Sequence, residues 1–303
     1  MKKIVVTGAL GFIGFHLCKK LIESGYEVVA IDEMVKERQN ELDEMRMRLG
    51  RNALFHLIEK KVEDLDLKSE LKDVDAIYHL AALTKYDSKW PRLQEVIAHN
   101  VALTKKILLN TPPHSRFIFP STVQVYGERP GLITEKTPTN PTSAYGITKL
   151  ASETLIRQLA PEEKVEYVIF RLPSVYGPFQ RSDMTYQQIL EGVDHPKMDR
   201  SQIDILYIDD VIEAFMLALD TEHVNEVYQL ATGKLEEWFE GIKVLKMDEE
   251  RISKSKIKTT LSTEKSKQLL GFEAKTPVSK GLKQQKEHYE ILKNQTKVSG
   301  ESE

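Results

Sequence analysis

Three glycines, each separated by two residues and set between an apolar run and an amphipathic one, constrain this chain more than any other feature. Lys2 to Thr7 (KKIVVT) is short and rich in β-branched residues, as expected of a buried parallel strand. Gly8, Gly11 and Gly14 follow, and FHLCKKLIESG then reads as a helix closed by Gly25. In such a strand–turn–helix Gly8 permits the tight turn and Gly11 the close approach of backbone to a pyrophosphate. Gly14 lets the helix pack against the strand. The free N–H groups and dipole of the helix N-terminus then attract phosphate. A second strand, Tyr26 to Ile31, ends at Asp32. A carboxylate there can accept hydrogen bonds from both hydroxyls of an adenine ribose and repels a 2′-phosphate, so the expected cofactor is NAD. Lys36 and Arg38 lie near enough to keep NADP open. The plainer alternative is a glycine-rich turn that binds no nucleotide, and the ordered succession of strand, glycines, helix and acid weighs against it.

The alternation continues as far as about Arg171. Met34 to Leu49 is amphipathic, and strands are expected at Leu54–Ile58, Asp75–Leu80, Arg116–Phe119 and Val165–Phe170. Helices are expected from Trp90 to Leu109 and from Ser143 to Leu159. This pattern predicts an α/β fold, a Rossmann-type doubly wound parallel sheet covered on both faces, with ligands at the carboxyl ends of the strands. Beyond Arg171 shorter elements are separated by loops up to a final helix from Val278 to about Leu292. The expected division is a dinucleotide-binding domain over 1–171 and a smaller, mainly substrate-binding lobe over 172–293. A polar tail, expected to fray, covers 294–303.

Composition excludes more than it identifies. The chain has 303 residues, 29% of them charged, and a net charge of −3, so no basic field argues for nucleic acid. Cys18 is the single cysteine, which disfavours disulfides, a zinc cluster or a thiol nucleophile and suits a reducing cytoplasm. No metal site is expected. The apolar run after MKK is too short for a signal peptide, and no stretch approaches a membrane span.

Downstream, a YGITK segment places Tyr145 and Lys149 four residues apart, on one face of the expected helix. A free tyrosine titrates near pH ~10 and must fall by roughly three pH units to move protons near neutrality. The Lys149 ammonium beside it, and a nicotinamide cation, are two charges able to supply that change. With a hydroxyl-rich strand end, at Thr122, between the glycine turn and this pair, the set can hold a substrate hydroxyl while its carbon gives up hydride. Thr122 as a mere strand-end cap, and Tyr145–Lys149 as a surface contact, are the plainer readings.

TGALGFIG, Asp32, VEDL, HLAA, STVQVYG, YGITK and RLPSVYGP, in this order and spacing, resemble the extended short-chain dehydrogenase/reductases, and within them the NAD-dependent nucleotide-sugar epimerases and dehydratases. The likeness covers nearly the whole chain, ending in QLLGFEAKTPVSKGL. It implies that Gly8, Gly11, Phe12, Ile13 and Gly14 hold the pyrophosphate turn and Asp32 the ribose. It places Asp64 and Leu65 at the adenine edge, and Ala81 and Ala82 beside the nicotinamide ribose. It makes Thr122, Tyr145 and Lys149 catalytic, with Tyr145 as acid/base and Lys149 also holding the nicotinamide ribose. Asn100 is mainly structural. The expected partners are a nucleotide-sugar and a second copy of the chain, joined as a homodimer through the Trp90–Leu109 and Ser143–Leu159 helices.

Departures from the pattern narrow the reaction. Dehydratases of this group carry an acidic pair directly after the catalytic hydroxyl, where this chain has Val123 and Gln124. UDP-glucuronate decarboxylases carry a glutamate at the position of Gln124. Ser174 replaces the usual asparagine, and Ile203 stands where an arginine commonly meets the substrate diphosphate. The loop from Arg181 to Asp204 is short. Substrate contacts are expected from Lys85, Tyr86, Thr122, Gln124, Ser174, Arg181 and Arg200, the two arginines being either diphosphate ligands or solvated loop charges. The leading expectation is a nucleotide-sugar epimerase, most simply a C4 epimerase of a UDP-sugar acting through a transient 4-keto sugar. The alternatives are an NAD(P)H-dependent keto-sugar reductase or dehydrogenase and, less favoured, a UDP-glucuronate decarboxylase or a non-catalytic NAD-binding protein.

Overall fold

In the computed structural model, which describes residues 2–35, 38–83, 93–198, 203–247 and 258–300, seven parallel strands form the central sheet. Their order is β10-β7-β5-β4-β1-β2-β3, with β1 Lys3–Thr7, β2 Glu27–Asp32, β3 Phe55–Glu59, β4 Ala76–His79, β5 Arg116–Thr122, β7 Glu166–Leu172 and β10 Glu226–Gln229. The apolar runs read from the sequence form six of these strands, β10 being the addition, and the switch in strand order falls between β1 and β4. Successive side chains of β1 face opposite sides. Ile4 and Val6 join one core with α1 (Phe12–Glu23), α2 (Gln39–Leu49) and α7 (Ile208–Asp220), while Val5 joins the other with α4 (Leu93–Leu108) and α5 (Ala144–Glu162). Both faces of the sheet are therefore covered, as expected of a parallel sheet.

The expected boundary at residue 171 is crossed twice. After β7 the chain forms β8 (Ser174–Tyr176) and α6 (Thr185–Leu190), then β9 (Ile205–Tyr207), which pairs with β8 in a small parallel sheet. It then returns: α7 packs on α1, and β10 adds to β7 as the edge of the main sheet. A second small sheet pairs β6 (Gly131–Ile133) with β11 (Thr259–Leu261), α9 (Glu264–Leu270) packs on β10 and α7, and α8 (Glu237–Val244) packs on the last helix. The last helix, α10, runs from Val278 to Gly300, beyond the expected end near Leu292, and buries Leu282 and Gln285 against α6 and β8. Among the described residues no helix is long and apolar enough to cross a membrane, and no group of three or more His, Cys, Asp or Glu could hold a metal ion.

Candidate active site

The glycine turn closes against the end of β4. Gly8 has φ +70°, and a Cβ there would lie 2.8 Å from the Ala81 backbone nitrogen. A Cβ on Gly14 would lie 2.1 Å from the Gly8 carbonyl oxygen, so the first turn of α1, which carries Phe12 and Ile13, sits directly on the β1 turn. At the end of β2, Asp32 accepts a hydrogen bond from the Leu10 N–H at 2.8 Å, which pins its carboxylate beside the turn. Burial pushes its pKa up, opposed by that N–H and by nearby Arg38. Arg38 reaches the Leu10 carbonyl at 3.4 Å and pairs with Glu41 at 3.0 Å. Asp64 closes a short 3-10 turn after β3 and is exposed, with Leu65 buried behind it. Lys36 lies outside the described residues.

Behind Ala81 runs a relay that the sequence reading did not single out. Ala81 N–H donates to Thr7 Oγ1 (3.2 Å), Thr7 meets His79 Nδ1 (2.9 Å), and His79 Nε2 meets Thr104 Oγ1 (3.1 Å). Thr104 gives its own proton to the Asn100 carbonyl, so His79 donates through Nε2 and accepts at Nδ1. Burial pulls His79 down to about 3, which keeps it neutral. Asn100 accepts from the Leu83 N–H at 2.8 Å and donates to its carbonyl at 3.2 Å. Asn100 thus fixes the backbone of Leu83, and Ala81 and Ala82 are held between that anchor and the Thr7 hydroxyl.

The three residues expected to be catalytic lie at the end of β5 and in the first turns of α5. Ser143 caps α5, accepting the Gly146 N–H at 3.0 Å, which starts the helix just before Tyr145. One turn on, Lys149 is only 4% exposed, and its Nζ donates to the Pro120 carbonyl at 2.8 Å. The Nζ lies 5.7 Å from the centre of the Tyr145 ring and 4.5 Å from that of Phe119. Burial pulls Lys149 from 10.5 to about 7, against the attraction of Glu153. Thr122 ends β5, 5% exposed, and accepts the Gln124 N–H at 3.2 Å. The capping role is therefore present, and it leaves the hydroxyl proton of Thr122 available to a ligand oxygen. Ser143 donates to Gln124 Oε1 at 2.7 Å, which fixes that side chain and leaves its amide N–H groups as donors.

The substrate contacts are less complete. Ser174 starts β8, half-buried, two residues past the end of β7. Arg181 precedes α6 and pairs with Asp183, with Nε 2.8 Å from Oδ1. Ile203 is half-buried beside the small cluster of Val123, Val125 and Tyr126. Lys85, Tyr86 and Arg200 lie outside the described residues. Asp204, 1% exposed, accepts from the N–H and hydroxyl of Thr232 and from the Gly233 N–H, tying β9 to the turn after β10.

Residues 4–231 match the model of the NAD dependent epimerase/dehydratase family. The chain belongs to this family. An uncharacterised UDP-glucose epimerase of Bacillus subtilis is 31% identical to it over 309 aligned positions, spanning 92% of this chain and 95% of the relative. The UDP-glucuronic acid 4-epimerase of Bacillus cereus, solved in complex with NAD, is 30% identical at a TM-score of 0.81, covering 96% of this chain and 99% of that one. The UDP-glucose 4-epimerase of Thermotoga maritima, solved with UDP-glucose, is 27% identical at a TM-score of 0.78, covering 95% and 99%. The extended short-chain dehydrogenase/reductase resemblance and the Rossmann-type sheet are thereby borne out. With this family comes an NAD-dependent epimerase or oxidoreductase.

Proposed function

We propose that this chain is a nucleotide-sugar epimerase that inverts C4 of a UDP-sugar through a transient 4-keto sugar, with NAD resident in the cradle of Gly8, Gly11, Phe12, Ile13, Gly14 and Asp32. The observation that carries the reading is the buried Lys149 beneath Tyr145, with Thr122 at the adjoining strand end and the uncharged Gln124 beside it. The cradle fits a dinucleotide because a Cβ at Gly8 or Gly14 would collide with backbone where the turn is tightest. Asp32 would hold the adenine ribose, Asp64 and Leu65 the adenine edge, and Ala81, Ala82, Tyr145 and Lys149 the nicotinamide ribose. When bound, NAD supplies a reversible hydride acceptor.

The chain's own groups handle the proton. Tyr145 takes it from the C4 hydroxyl and returns it, while Thr122 fixes the same oxygen. The positive charge of Lys149 favours the phenolate. Neither Val123 nor Gln124 can remove a proton from carbon or donate one to a leaving hydroxyl, so elimination of water lacks its acid and base. The Gln124 amide instead offers hydrogen bonds to the sugar. Ser174, Arg181 and the expected contacts Lys85, Tyr86 and Arg200 would complete the substrate side. The proposal includes a homodimer through α4 and α5, and a monomeric sedimentation profile would remove that part.

The test is to incubate the purified chain, with no added cofactor, with UDP-glucose, UDP-glucuronic acid and their dTDP-, CDP- and GDP-linked counterparts, resolving products by chromatography and NMR. A diastereomer of equal mass supports the epimerase. Turnover that requires added NAD(P)H and a keto-sugar would replace it with a reductase.

A further inference from the structure

Lys149 and Arg171 are two cations in one dry region: Arg171 pairs with a carboxylate that lies one helical turn from Lys149 and attracts it. Glu153 lies one helical turn after Lys149 on α5 and is 1% exposed. Arg171, on β7, donates to it twice, with Nη2 to Oε2 at 2.7 Å and Nε to Oε1 at 3.1 Å, and Ser121 on β5 donates to the same Oε1. Ser121 and Arg171 are register partners across β5 and β7, so the sheet itself presents both donors to α5. The carbonyl that receives Lys149 belongs to Pro120, directly before Ser121. The Arg171 guanidinium also covers the Tyr126 ring at 4.9 Å. A buried ammonium without a counter-charge loses its proton rather than remain charged in a dry site.

We propose that Glu153 is a positioning residue for the reaction: its carboxylate, fixed by Ser121 and Arg171 one turn from Lys149, supplies the counter-charge that keeps the Lys149 ammonium protonated beneath Tyr145. The assignment rests on the roles given to Tyr145 and Lys149 above. The other groups around Lys149 do not substitute for it. Tyr145, on the same helix, is the proton carrier itself. His79 on β4 is held neutral, Thr122 and Ser121 on β5 are uncharged, and Arg171 on β7 carries the wrong sign. The buried ion pair of Glu153 and Arg171 is thus more than a packing feature between helix and sheet.

The experiment is a titration of the full-length chain labelled with [ε-13C]lysine, the Lys149 resonance being assigned by its loss in Lys149→Met. The wild-type midpoint is expected at about 7. Glu153→Gln should move it down by about one pH unit or more, and Glu153→Asp, which keeps the charge, should bring it back toward wild type. An unmoved midpoint in a folded Glu153→Gln protein overturns the assignment. So does a midpoint in Glu153→Asp as low as in Glu153→Gln, because packing rather than charge would then be the cause. If Glu153→Gln does not fold, the double change Glu153→Gln with Arg171→Met removes both charges of the pair. Its midpoint should lie below that of Arg171→Met alone, and a midpoint equal to that of Arg171→Met overturns the assignment. Because the readout needs no substrate, failure of the epimerase reading would leave this titration intact, and failure of the titration would leave the epimerase assay intact.

Discussion

The region up to β7 and the region beyond it secure their functional residues in different ways. In the first, the residues of the candidate site sit at the carboxyl ends of strands or in the first two turns of a helix: Gly8 after β1, Asp32 ending β2, Ala81 after β4, Thr122 ending β5, Tyr145 and Lys149 in α5. Their spacing follows from the sheet. In the second, strands of three residues pack through aromatic edges and buried amides. Tyr176 meets Tyr186 and Tyr207 at 5.6 and 5.4 Å, Tyr186 donates to the Trp238 carbonyl, and Gln285 on α10 donates to Gln180 and Gln187 at 2.8 and 3.0 Å. The proposed chemistry therefore rests on regular backbone, and the proposed substrate contacts on side chains in loops.

If that contrast holds, substitutions should separate rate from affinity. The largest effect is expected from Tyr145→Phe, which removes the proton carrier and leaves the fold alone. Turnover should fall by about 10²–10⁴-fold, with bound NAD unchanged in the purified protein. A fully active variant would move the acid/base elsewhere. Arg181→Ala should act on the other side of the comparison, raising KM for the nucleotide-sugar by roughly tenfold or more while kcat stays near wild type, the size of a charged hydrogen bond. Asp183→Asn should lower KM by releasing the same guanidinium. Equal kinetics in all three proteins would assign the pair to the loop alone.

The smallest effect concerns the seam where the two regions touch. His16 on α1 meets the Pro178 carbonyl at 2.9 Å, and Phe179, at φ +64°, meets His288 of α10 edge to face at 4.2 Å, with Arg48 of α2 over its ring at 5.4 Å. Burial pulls both histidines from 6.5 to about 4, Arg48 adding to the effect. The folded chain thus binds fewer protons than the unfolded chain between these values. Stability is full above about 6.5 and is lost as pH falls through 4. His288→Gln should flatten the fall in melting temperature from pH 7 to 4.5 by about 2 °C or more. An unchanged slope would assign the acid sensitivity elsewhere.

The sequence made the first region legible because its strands are apolar runs of four residues or more, bounded by glycine and charge. Those bounds set Gly8 and Asp32 at strand ends, whereas Thr122 ends β5 three residues beyond the expected Phe119 and was marked by its motif alone. Glu153, Arg171, Ser121 and the Thr7–His79–Thr104 relay were not singled out, because their partners are brought together by strand order rather than by spacing along the chain. Beyond β7 the three-residue strands β8 and β9 are too short to show a period, and nothing local marks β10 as a member of the main sheet.

That last strand bears on how the chain is inherited. Cut after residue 171, the dinucleotide-binding part would leave β7 with one row of backbone N–H and C=O groups unpaired, and the face of α1 that packs on α7 open to water. Such an edge invites pairing with any other strand it meets. The glycine-turn part and the part beyond residue 171 are sewn through a common sheet, so neither is a separable cassette.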